Sequence, residues 1–304
     1  MELILHIGVH RTGTTSFQQL LQRRSALLAR RGISFWGPAV MRLDGPLHYL
    51  ADMGSTGAAA EARAEDTRMT FHEELALEEE NDRRLVIVSE ENLMGTIGGN
   101  FEKAALYPDV ARRLGTHATL FSRPPGRVYV AIRSYADYWN SAQAFRMRYE
   151  VHPRFIGDAL AAASLERGWP EVLADVARAL PASRIRVWRY TPGPGTMTGV
   201  LADMLGRRLA RRLPDAPLAN VSLSAPALEE LARRRAAGII ATEADLADAL
   251  GELKRQIGPK LQLFAPDQSA ALAARFDADW QAIAGGAVPR VETFEPPAQM
   301  EIVA

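Results

Sequence analysis

The chain has 304 residues, 47% hydrophobic and 24% charged, which fits a soluble globular protein of one large domain or two small ones. Lys+Arg and Asp+Glu balance at 36 each, so no net field draws the chain to a nucleic acid or a membrane. Without cysteine there is no disulfide, thiolate metal site or Cys nucleophile, as suits a reducing compartment.

Nearly all the positive charge is Arg, with Lys103, Lys254 and Lys260 the lysines, and a GC-rich genome explains most of that excess. The apolar start Met1-Glu2-Leu3-Ile4-Leu5-His6-Ile7-Gly8 is too short for a signal peptide and lacks a basic beginning. No apolar stretch approaches the ~20 residues that span a bilayer. The expectation is a cytoplasmic protein with no integral membrane segment and no nucleic acid polymer as partner.

Residues 3–7 form a short apolar run ending in a Gly-containing loop, which predicts a buried parallel strand. Phe17, Leu20, Leu21, Leu27 and Leu28 follow at helical spacing, with Gly32 as a stop. Ile33–Trp36 reads as a second strand, 45–60 as a loop or lid, and 61–81 as a charged, largely exposed helix. Residues 85–88 (Leu-Val-Ile-Val) are the clearest later strand, followed by Ser89-Glu90-Glu91-Asn92. Residues 101–120 read as helix interrupted at Pro108. After the turn Pro124-Pro125-Gly126 come a strand at 127–132, a helix from 134 to about 149, and a short strand at 185–188. From Thr196 onward the pattern is mainly helical, with breaks near 214–217 and at Gly258-Pro259, and the Pro-rich tail from Gly285 reads as a surface strap.

Strands alternating with helices predict an α/β fold with a central parallel sheet covered on both faces. On such sheets ligands bind beyond the carboxyl ends of the strands. Residues 8–16, 89–92 and 133–141 all fall there. Gly8 and Gly13 bound a loop that runs into a helix opening with Thr14, Thr15 and Ser16. Glycines let successive N–H groups turn inward, and the helix N-terminus adds donors and a favourable dipole. With Arg11 as a fixed cation, the segment is a cradle for an oxyanion. Its spacing resembles the Walker pattern G-x-x-x-x-G-K-[ST], but Thr14 stands where the phosphate-binding Lys belongs, against a conventional ATPase or GTPase.

Arg11-Thr12-Gly13-Thr14-Thr15 resembles, without a gap, the [KR]-[TS]-G-[TS]-[TS] loop of sulfotransferases that use 3′-phosphoadenosine-5′-phosphosulfate (PAPS). Many members have Lys where Arg11 stands. The resemblance implies that Arg11, Thr12, Gly13, Thr14, Thr15 and Ser16 hold the donor's 5′-phosphosulfate. The family's second mark is a strand-end Arg with a Ser eight residues on. Arg133 and Ser141 match it and are implied to hold the 3′-phosphate. The Ser89-Glu90-Glu91 segment resembles bacterial members, with Glu91 preferred to Glu90 as the base that takes the acceptor's proton. His10 and His48 are alternative bases, whereas His6 reads as structural. Tyr135, Tyr138 and Trp139 read as packing residues, and Arg146 and Arg148 as solvated helix charges.

Residues 185–190 resemble a late family strand, and Leu223-Ser224-Ala225-Pro226 before a helix occurs in similar bacterial proteins. The family's Arg/Lys-Gly-rich closing loop has no clear counterpart, leaving Lys254, Arg255 and Lys260 to substitute. The resemblance implies one sulfotransferase-like domain over 1–304, of P-loop nucleotide-hydrolase-like fold. Residues 1–190 form its donor-binding core, 191–284 its helical part and 285–304 its tail. It implies sulfuryl transfer from PAPS, without a metal, to a hydroxyl or amine of a small-molecule, carbohydrate or lipid acceptor. A kinase-like phosphotransferase and a non-catalytic nucleotide-binding module are the alternatives.

Overall fold

A computed structural model describes residues 1–41, 58–119, 121–149, 157–193, 196–213 and 222–296. Its centre is a six-stranded sheet, β1 (Glu2–His6), β2 (Ile33–Trp36), β3 (Leu85–Ser89), β4 (Arg127–Ile132), β5 (Arg184–Arg189) and β6 (Val291–Thr293), in the order β2-β3-β1-β4-β5-β6. Every pairing is parallel, with Ile4 of β1 opposite Ile87 of β3 and Arg127 of β4. The expected α/β class with a helix-flanked parallel sheet is therefore present.

Alternation along the strands divides the core. Leu3, Leu5, Val86, Val88, Val128 and Val130 point to one face, while Ile4, Leu85, Ile87, Tyr129 and Ala131 point to the other. The first face is covered by α4 (Ala58–Glu80), α5 (Ile97–Glu102), α6 (Val110–Ala118), α7 (Tyr135–Arg146), α8 (Gly157–Glu166), α9 (Trp169–Ala179) and α14 (Pro266–Ala284). The second is covered by α1 (Thr14–Arg23), α2 (Ser25–Ala29), α10 (Thr196–Leu205) and α11 (Arg207–Ala210). Short α3 (Pro38–Met41) follows β2, and α12 (Ala225–Ala236) with α13 (Glu243–Leu253) packs on Ala144 and Met147 at the end of α7.

Right-handed crossovers explain this division. Only the step from β1 to β2 moves toward the β2 edge, so α1 and α2 lie on the second face. Every later step moves toward the β6 edge and puts its helices on the first face. That would leave Tyr129, Ala131 and Trp188 bare, and α10 and α11 cover them before the chain returns.

Several expectations need correction. The helix expected over 101–120 is two, because residues 103–109 are non-helical between α5 and α6, which starts just after Pro108. The exposed helix α4 still buries Thr67, Phe71 and Leu75 at four-residue spacing. The tail is not a mere strap, since Val291–Thr293 extends the sheet on β5. Of the loop expected over 45–60, residues 58–60 belong to α4 and the rest lie outside the described residues, as does the break near 214–217.

Tyr135, Tyr138 and Trp139 are fully buried, as expected of packing residues. With Trp169 they fix the start of α7: Trp169 Nε1 donates to Arg133 O at 2.8 Å, and Trp169 N donates to Tyr135 Oη at 2.8 Å. Tyr135 in turn donates to Asp279 of α14. A Cβ on Gly168 would lie inside van der Waals contact of both Tyr135 Oη and Asp279 Oδ2. Gly168→Ala should therefore lower stability by about 1–3 kcal/mol, read as a reduced urea midpoint at unchanged m.

Candidate functional site

The sheet order reverses at β1. The chain leaves β1 on the second face and β4 on the first, so a crevice opens between their carboxyl ends. A cavity of about 710 Å³ lies there. It brings together eight of the sequence-derived candidates: His10, Arg11, Gly13, Thr14, Thr15, Glu91, Arg133 and Ser141. Thr12, Ser16 and Glu90 do not line it. Thr12 is buried with its hydroxyl donating to Val9 O at 2.6 Å, and Ser16 is fully buried. Glu90 is buried, with Oε1 accepting from Asn92 N at 2.9 Å to cap the 3₁₀ turn Glu91–Leu93. His48 lies outside the described residues.

The loop after β1 is shaped by two left-handed residues, Arg11 (φ 68°) and Gly13 (φ 79°). Arg11 holds this conformation at a strain of about 1–2 kcal/mol. Gly13 is required twice over, because a Cβ there would also stand 3.1 Å from the Tyr190 ring. At Gly8 a Cβ would come within 2.5 Å of Thr14 Oγ1. That hydroxyl is buried without a hydrogen-bond partner. Gly13 caps α1 with no side chain, and helix geometry leaves the amides of the first turn without an intrahelical acceptor. These features suit a bound oxyanion.

Arg11 reaches across the crevice. Its Nε donates to Ser141 Oγ at 3.0 Å and an NH2 nitrogen to Ser222 Oγ at 3.0 Å, while the guanidinium lies 5.4 Å from the Phe145 ring centroid. Arg133 donates to Arg11 O at 2.8 Å and lies over Tyr190. The two anchors that the sequence suggests as separate are thus in direct contact. Burial lowers the Arg11 pKa to about 10, with Arg148 and then Arg133 adding repulsion. Burial likewise lowers that of Arg133. Among the described residues neither Arg133 nor Lys260 has a carboxylate within ion-pair distance.

Arg148 is buried, not a solvated helix charge, and Arg146 packs on the Phe101 ring. Of the three basic residues suggested for closure, Lys260 lines the cavity and donates to Ser222 O at 2.5 Å, while Lys254 and Arg255 do not line it. Sequence reasoning missed Ser222, Tyr190, Asn140 and Gln262. Tyr190 immediately follows β5, a position that could have flagged it; the others carry no local signal.

Glu91 faces the cavity, with Oε2 accepting from Gln18 Nε2 at 2.9 Å. Behind it, His6 is buried at the end of β1 with Nδ1 2.8 Å from Ser89 Oγ, the structural role expected of it.

His10 is held between the Tyr107 hydroxyl and the Asn92 amide, with Asn100 bracing both tyrosines from behind. Asn100 Oδ1 accepts from Tyr107 N at 3.1 Å, so its Nδ2 donates to Tyr138 Oη, 2.6 Å away. The Tyr107 and Tyr138 rings pack against each other, with centroids 6.3 Å apart. Tyr107 Oη accepts from His10 N at 2.9 Å and lies 2.8 Å from His10 Nδ1. Asn92 Oδ1, 3.1 Å from His10 Nε2, can only accept, so Nε2 carries a proton toward it.

Comparison with protein-family models, curated proteins and solved structures returns no match.

Two measurements check this description. Imidazole ¹⁵N spectra at neutral pH should give His10 the Nε2–H pattern, and Tyr107→Phe should mix the tautomers. The second concerns His6, whose pKa burial lowers to about 4 despite an opposing pull from Glu91. Between pH 6.5 and 4 the unfolded chain binds the His6 proton and the folded one does not. Stability should fall by up to about 3 kcal/mol as pH drops through that window. His6→Gln should remove part of this slope in urea titrations.

Proposed function

We propose that the protein is a PAPS-dependent sulfotransferase of P-loop-like fold. The observation that carries this reading is the meeting of the β1 loop with Arg133 and Ser141 in one crevice: an oxyanion cradle beside a second, cationic phosphate position. An adenosine donor bearing both a 5′-phosphosulfate and a 3′-phosphate has that anion pattern. The loop amides and the Thr14 and Thr15 hydroxyls hold the 5′ end, and Arg133 with Ser141 binds the 3′-phosphate. Arg11 lies between them and can serve either anion.

The acceptor oxygen or nitrogen attacks sulfur in line. The bond to sulfur forms as the sulfur–oxygen bond to the 5′-phosphate breaks, and the electron pair leaves on the phosphate oxygen. Arg11 and the loop amides stabilise that developing charge. Glu91 takes the acceptor's proton, oriented by Gln18. Products are the sulfated acceptor and 3′,5′-adenosine bisphosphate. No metal enters this scheme, and the acceptor is a small molecule, carbohydrate or lipid headgroup.

In thermal-shift titration, 3′,5′-adenosine bisphosphate should raise the melting temperature far more than AMP. No shift, an equal shift with AMP, or a shift by ATP that requires Mg²⁺ would overturn the reading. Arg133→Ala should weaken the bisphosphate by roughly 10–100-fold and erase its advantage over AMP. Glu91→Gln should leave bisphosphate binding intact and slow transfer by about 10²–10⁴.

A further inference from the structure

The formal neutrality of the chain is a sum over unlike surfaces. The second sheet face is covered, among the described residues, mainly by two segments, α1–α2 and α10–α11, with Phe294 packing on Tyr129 and Trp188 and Glu292 paired to Arg186 at the β6 side. Residues 14–32 contain no carboxylate, and Arg23, Arg24, Arg30 and Arg31 are exposed. Residues 196–213 contain one carboxylate, Asp203, and expose Arg207, Arg208, Arg211 and Arg212. Asp203 is turned inward, accepting from Tyr129 Oη at 2.9 Å and from Arg186 Nε at 3.0 Å. None of the eight arginines has an ion pair among the described residues. Negative charge instead gathers on the first face, where α4 exposes Glu73, Glu74, Glu79 and Glu80.

The arginines share one end of the molecule. α1 starts at the cavity and runs back toward the amino edge of the sheet. α10 ends at that edge too, since Arg127, the first residue of β4, donates to Met204 O at 3.2 Å. Asp82, beside Gly32, marks the border with the acidic face. Compensation of helix dipoles accounts for one or two basic residues per helix end, not for eight.

We propose that this amino-edge face docks on an anionic phospholipid surface. The cations spread in two dimensions over neighbouring helices, which matches a plane of phosphates better than a single polyanionic strand. Guanidinium groups suit phosphate oxygens. Neither segment exposes an aromatic ring for stacking on bases: Phe17, the aromatic residue they contain, is buried. Half-buried Leu27, Leu205 and Leu209 lie among the arginines. A cluster of this size is enough for reversible electrostatic adsorption. Docked so, the cavity at the opposite sheet edge faces away from the lipid. The inference rests on surface charge and not on sulfuryl transfer, so either can fail alone.

The test is vesicle co-sedimentation of the full chain. Wild type should sediment with phosphatidylcholine vesicles containing 30% phosphatidylglycerol, remain free with pure phosphatidylcholine, and be released by 0.5 M salt. Replacing Arg207, Arg208, Arg211 and Arg212 with Gln should weaken partitioning at least about 100-fold. Arg23→Gln with Arg24→Gln, an independent variant on α1, should weaken it about 10-fold or more. Arg112→Gln with Arg178→Gln, on the other face, should leave it unchanged. Melting curves like wild type show that each variant is folded. No sedimentation with anionic vesicles, equal binding to neutral ones, or undiminished binding by either basic-face variant would overturn the proposal. So would displacement by duplex DNA at equal phosphate concentration, which would mark the face as a nucleic-acid surface.

Discussion

The handedness of parallel crossovers governs this protein. With β1 in the interior of the sheet, the chain must go one way for β2 and the other way for β4, β5 and β6. Helices on opposite faces then diverge from the ends of β1 and β4, and no helix can close the gap between them. The crevice is thus a consequence of strand order, present before any side chain is chosen. The same constraint leaves half of the second face uncovered, and α10–α11 is the segment that closes it.

Into that crevice the sequence places cations on short, fixed supports. Arg11 sits on a left-handed residue of the loop, Arg133 directly after β4, and Lys260 beyond α13. Arg11 ties three chain regions together through Ser141 and Ser222, while the Trp169 indole holds the carbonyl of Arg133. These groups are pre-positioned by backbone geometry and buried aromatics. Little reorganisation would remain for a bound anion to induce, which is the condition under which fixed dipoles and charges act most strongly.

Much of this was legible in the sequence because it depends on local pattern. The runs at 3–7, 85–88 and 127–132 are apolar and too short to be helices, so the three central strands could be placed, and the polar segments after them fell on one edge. Glu91 was separable from Glu90 only weakly, since alternation does not persist beyond a strand end; burial of Glu90 under its own turn sets them apart. What stayed hidden was non-local. Ser222 arrives through the packing of α12–α13 on Ala144 and Met147, and no nearby residue announces it. Arg148 reads as a surface charge because helical spacing says nothing of a neighbouring helical pair. β6 escaped notice because three residues in a Pro-rich stretch carry no period. The charge balance is silent on the basic amino-edge face for a similar reason: a sum over the chain is blind to which face each helix covers.

The short strand β6 also bears on how the chain is made. β5 is complete at Arg189, but its outer edge finds a partner only when Val291–Thr293 is available, about a hundred residues later. A nascent chain therefore leaves the ribosome with an open hydrogen-bonding edge for most of the synthesis of its helical part. Unpaired edges recruit other strands. Chains stalled or clipped before Val291 would keep α14 and the whole crevice yet carry that sticky border, so this short strand protects the protein from its own copies more than it builds the site.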